Sequence, residues 1–108
     1  MPYQKFPGLR RFFLDVRAQT KRGDVIAVYA PLSSGPQWSG AYDYFYGRAP
    51  YPLAGRLVLP VIDLQNKPIV ANIERADYVA CYRSSPPFPN YVVAWRSNDG
   101  VLLKRVKR

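Results

Sequence analysis

The sequence predicts an α+β domain: an N-terminal helix followed by a small curled antiparallel sheet or barrel of five to six short strands. Three observations carry that expectation. Apolar residues recur with a helical period near the start, and short β-branched runs follow them. Eleven prolines and seven glycines in 108 residues then punctuate the chain, which favours short strands over long helices. A chain of this length is expected to fold as a single domain over 1–108, with one modest core.

The helix is placed in "PGLRRFFLDVRAQTKRGD", where Leu9, Phe12, Phe13 and Val16 fall at i, i+3, i+4 and i+7 and share one face. Pro7 stands near its start, Arg17, Lys21 and Arg22 fill its end, and Gly23 is positioned to cap it. Read instead as a strand, the stretch alternates Phe12, Leu14, Val16 and Ala18 but turns Phe13 outward, which counts against that alternative.

After Gly23 the period changes. "DVIAVYA" is an apolar run of strand length closed by Pro31. A long aromatic loop at about 31–55 follows, bracketed by prolines and small residues. "RLVLPVIDL" reads as the next strand, with Pro60 assigning it to an edge or a bulge. "QNKP" is a turn, and "IVANIER" and "DYVACYR" read as further strands. A basic hairpin at 91–108 ends the chain, with Asn98, Asp99 and Gly100 in the turn and Gly100 suited to a positive φ. Cations on both faces of "VLLKRVKR" suggest an edge strand or a fraying tail.

Charge is the strongest functional signal. Sixteen Lys and Arg face seven Asp and Glu, a net charge of +9, and such a field attracts polyanions. The materials for catalysis are sparse. There is no histidine, and the single Cys81 lies in an apolar alternating run where a buried thiol is the expected role. Asp63, Glu74 and Asp77 are close in sequence but fall on different predicted elements, so no metal site and no cofactor is expected. Without an apolar run of spanning length or a signal-peptide core, a cytoplasmic setting and no membrane partner are expected.

One resemblance bears on chemistry. "KRGDVIAVYAPLSSG" at 21–35 resembles the opening of the PemK/MazF-like toxins, and "GRLVLPV" at 55–61 is similar to their second strand. The resemblance implies a ribonuclease in which Arg56 takes part in RNA cleavage. Leu57 stands where that family has proline, and Thr20, the only threonine, offers no counterpart to its later strand-borne Thr or Ser.

Binding draws on more of the chain. In "SGAYDYFYGRAPYP", five rings gather around Arg48, and with the cations elsewhere in the chain they suit a single-strand surface on which bases stack while cations hold phosphates. The expected function is therefore nucleic-acid binding, to RNA or single-stranded DNA. Trp38, Tyr44 and Tyr46 would stack, Arg48 and Arg56 would hold phosphates beside them, and Arg96, Lys104, Arg105, Lys107 and Arg108 would add electrostatic grip. In a half-buried strand, parity would place Phe45 inside and Tyr44 and Tyr46 outside. The same rings also suit packing, or docking on a larger protein as a small regulator or inhibitor does.

Overall fold

The computed structural model describes residues 8–30, 44–48, 50–63, 65, 67–84 and 88–106. Helix α1 (Leu9–Gln19) is followed by strands β1 (Val25–Tyr29) and β2 (Leu57–Pro60) and a short helix α2 (Val70–Arg75). Strands β3 (Tyr78–Tyr82), β4 (Tyr91–Arg96) and β5 (Gly100–Arg105) complete the chain. The α+β class, the leading helix and the five-stranded sheet match the sequence expectation.

Helix α1 buries the four residues its period selects, Leu9, Phe12, Phe13 and Val16. It stops at Gln19 because Thr20 turns extended, while the Thr20 hydroxyl donates back to the Val16 carbonyl at 2.9 Å. Gly23, expected as the cap, lies instead in the turn into β1, where its φ is 91°.

The sheet runs β2-β1-β3-β5-β4 and is open, with β2 and β4 at its edges. Its pairing is mixed rather than wholly antiparallel. β1 runs parallel to both β2 and β3, and only the β3-β5-β4 half is antiparallel. Parallel neighbours oblige the chain to leave the sheet and return. The first crossover carries Phe45 and Leu53 onto the face covered by α1, and the second carries Ile73 onto the opposite face.

That requirement overturns the strand expected at "IVANIER". Its β-branched residues suit a strand, yet the segment joins two parallel strands and so climbs off the sheet as α2. Ile73 packs on the sheet there, and Asn72 Nδ2 donates to the Pro60 carbonyl at 3.0 Å.

Strand alternation divides the core into two clusters. Ile26, Val28, Ala80, Tyr82 and Leu102 face α1, whereas Ala27, Val79, Cys81, Val101 and Leu103 face the other way. Full burial of a Val, Leu, Ile or Phe side chain contributes about 1.5–3 kcal/mol.

Two further expectations are corrected at the hairpin. β5 is an interior strand between β3 and β4, with Gly100–Leu103 buried and its cations only at the far end. Gly100 does not take a positive φ. It is glycine for lack of room, since a Cβ there would collide with the Cys81 carbonyl and lie 2.8 Å from the Phe12 ring. The real edge strand, β4, exposes Val92 and Val93, and a register shift between Val93 and Trp95 interrupts its ladder.

Of the aromatic loop expected at 31–55, residues 31–43 and 49 lie outside the described residues. Its later part is not a strand but two helical turns, a π-helical one at Tyr44–Arg48 and a 3-10 one at Tyr51–Leu53. Phe45 is fully buried, but Tyr46, expected outside by strand parity, also turns inward, half-buried against both clusters with its ring edge-on to Phe45 at 4.8 Å, because a helical turn does not alternate faces residue by residue.

Candidate functional site

Strand register decides which cations meet. Val25 pairs with Leu57, Ile26 with Tyr78 and Tyr78 with Lys104, so the starts of β1, β2 and β3 and the finish of β5 lie at one end of the sheet. The turn after α1 joins them there, because the Gly23 N–H donates to the Gly55 carbonyl at 2.9 Å. Lys21, Arg22, Arg56, Lys104 and Arg105 are thereby gathered from well-separated parts of the chain.

Two of these arginines are built into the frame. Arg56 grips the end of α1: Nε donates to Thr20 Oγ1 at 3.0 Å, and Nη2 donates to the carbonyls of Arg17 and Thr20 at 3.1 and 2.9 Å. Its Nη1 adds a bond to the Ala54 carbonyl at 3.3 Å. The Arg17 and Thr20 carbonyls lie at the end of α1, where the only internal donor to Arg17 is the Thr20 N–H at 3.3 Å and where a cation meets the negative end of the dipole.

Arg105 does the same for α2. Nε donates to the Ala76 carbonyl at 2.9 Å, and Nη2 donates to the Ile73 carbonyl at 2.7 Å and to that of Glu74. Tyr91 completes the clamp. Its hydroxyl accepts from Arg105 Nη2 at 2.9 Å and lies 2.6 and 2.9 Å from the Ile73 and Ala76 carbonyls, while its ring sits 4.9 Å from the guanidinium. Both guanidinium groups stand at this end of the sheet, but their hydrogen bonds serve the fold.

Lys21, Arg22 and Lys104 are different, because none of them forms an ion pair among the described residues. Lys21 and Lys104 border an open depression of about 290 Å³, lined also by Asp24, Asp77, Tyr78, Arg105 and Val106. Its two carboxylates are anchored by backbone. Asp24 Oδ2 accepts the Lys21 N–H and Asp77 Oδ2 accepts the Val25 N–H, each at 2.9 Å. Burial, and then the charges of Asp24 and Asp77, push the Tyr78 phenol above its ordinary pKa, so it stays protonated and able to donate.

The other site residues expected from sequence are distributed elsewhere. Arg96 is exposed at the hairpin end of β4, the opposite end of the sheet from Lys104. Tyr44 and Arg48 lie on the π-helical turn, and Trp38, Lys107 and Arg108 lie outside the described residues. Tyr46 packs against both hydrophobic clusters. Among the described side chains of the segment, Tyr51 is an exposed ring, at 80% of its free surface.

Lys21, Arg22 and Tyr78 were missed as site residues. The run "KRGD" directly after an amphipathic helix is the signal that marks the first two, while nothing local marks Tyr78. The described residues show no cluster of three metal-ligating side chains, and burial pushes the Cys81 thiol up to about 12, which removes it as a nucleophile. No helix among them is long and apolar enough to cross a membrane. No protein-family model, curated protein or solved structure matches the chain.

Proposed function

We propose that this domain binds single-stranded nucleic acid at the basic end of its sheet. One observation carries the reading: Lys21, Arg22 and Lys104 converge there with no ion pair among the described residues, beside the guanidinium groups of Arg56 and Arg105. Cations not neutralised by ion pairs release counterions from a phosphate backbone when they meet it, which drives sequence-independent association. Tyr51, exposed and only a few residues before Arg56, adds a flat face on which a base stacks.

Fluorescence anisotropy with labelled oligouridylate and oligothymidylate tests the reading. Affinity should fall steeply with salt, and the Lys21→Glu/Lys104→Glu double variant should bind far more weakly with its melting temperature retained. Absence of binding at low salt, or affinity insensitive to salt, overturns it. The resemblance to PemK/MazF-like toxins would add RNA cleavage through Arg56. Cleavage of the oligouridylate by the wild type but not by a folded Arg56→Ala variant is the result that would bring that reading forward.

A further inference from the structure

The depression at the basic end is not a bare cationic patch. Lys21 and Lys104 stand at its border, yet Asp24, Asp77 and the Tyr78 phenol line it as well. Each carboxylate accepts a backbone N–H and so serves the fold, yet toward a ligand that carried phosphate alone both would be repulsive. Hydrogen-bond acceptors set among cations suit a ligand that carries hydroxyl donors next to its phosphates. A ribonucleotide unit is such a ligand, and its 2′-hydroxyl is the group that separates RNA from DNA.

We propose that this depression seats one ribonucleotide of a bound strand, its phosphate between Lys21 and Lys104 and its 2′-hydroxyl on Asp24 and Tyr78, so that the domain selects RNA over DNA. The inference rests on the single-strand reading above. Asp24 suits the role because a single hydrogen bond, at Oδ2, anchors it, which leaves Oδ1 with its accepting capacity. It is nearly buried at 8% exposure, so a hydroxyl reaching it meets little competition from water. Tyr78 and Lys104 are directly paired across β3 and β5, which makes them neighbours on one face, and both border the depression. The Lys21 backbone in turn donates to Asp24, so one short loop positions both a phosphate-binding group and a hydroxyl-binding group.

Short oligouridylate, oligodeoxyuridylate and 2′-O-methyl oligouridylate test this in direct titrations with the wild-type protein. The bases and phosphate charge are the same in all three, so only the sugar distinguishes them. Oligouridylate should bind about three- to tenfold more tightly than the other two, the range for one or two hydrogen bonds. Tyr78→Phe should lower affinity for oligouridylate and leave that for oligodeoxyuridylate unchanged, a split that general destabilisation would not produce. Equal, salt-dependent binding of all three overturns the ribose contact while the polyanion reading stands. Binding of the 2′-O-methyl strand as tight as oligouridylate also overturns it, because that strand shares the sugar pucker of RNA but lacks the donor. Failure of every strand to bind at low salt overturns both.

Discussion

Arg11 of α1 and Asp99 of the β4–β5 turn, 88 residues apart, form a bidentate pair, Nε to Oδ2 at 2.8 Å and Nη2 to Oδ1 at 3.0 Å. The pair ties the first helix to the last hairpin. Asp99 is buried while the Arg11 side chain is 70% exposed, so water screens the guanidinium and weakens the pair from that side. The Asp99 carboxylate also sits against Gly8 at the start of α1, where a Cβ would strike Oδ1 and where the helix dipole favours an anion.

Acid should therefore loosen this contact. Hydrogen bonding from Arg11 holds the Asp99 carboxyl below its usual range, against the opposing effect of burial. A depressed folded pKa means that the stabilisation is present above the unfolded value, about 3.9, and is lost as pH falls through the lower folded value. Asp99→Asn should melt below wild type above roughly pH 5 and converge with it in stronger acid. Parallel curves across the acid range would show that the ion pair contributes nothing.

Arg56 should behave as a structural residue. Removing the guanidinium takes the donor from the Thr20 carbonyl and leaves that of Arg17 with only the 3.3 Å bond from the Thr20 N–H, so Arg56→Ala should cost about 1–3 kcal/mol in urea unfolding. Arg56→Lys should recover only part of that, because one ammonium cannot reproduce the planar fork. A variant as stable as wild type would show that the clamp is idle.

At the other clamp, Tyr91→Phe removes one hydroxyl and should cost about 1 kcal/mol, whereas Arg105→Ala removes several donors and should cost more. Both should speed amide exchange in α2, which has no buried side chain of its own to hold it down. Unchanged exchange at Ile73 and Ala76 would contradict this.

Gly100→Ala should be more damaging than Gly23→Ala. The first meets the Cys81 carbonyl and should cost on the order of 1–3 kcal/mol through overpacking. The second has open space around it and loses only the ease of its positive φ, about 1 kcal/mol. Phe12→Leu should not rescue Gly100→Ala, since the first obstacle is backbone and cannot turn aside. Thermal melts of the variants decide the order.

The rings should separate by burial. Phe45→Ala should destabilise by about 3–5 kcal/mol, while Tyr51→Ala should move stability by under about 0.5 kcal/mol and weaken oligonucleotide binding. A Tyr51→Ala variant that binds as wild type does would remove the stacking contribution from the proposed interface.

Much of this architecture was legible locally. The spacing of Leu9, Phe12, Phe13 and Val16 contains both the helix and its buried face, and the turn before Gly100 contains the hairpin, because these patterns involve neighbours in the chain. The burial of Phe45 agrees with the parity expectation in outcome alone, since a helical turn rather than a strand buries it and draws Tyr46 inward as well. Lys104, Arg105 and Arg56 were recognisable as cations of interest, but not as one site. Tertiary structure alone decided that β1 would pair in parallel on both sides, and the parallel pairing then forced Val70–Arg75 out of the sheet as a helix against its local preference. The same pairing divided Arg56 and Arg105, which bond to helix ends, from Lys21, Arg22 and Lys104. A helix end becomes a partner for Arg56 or Arg105 only once the chain has brought it within hydrogen-bond reach, so nothing in a residue's own neighbourhood reveals whether its charge will face a carbonyl or remain open to a ligand.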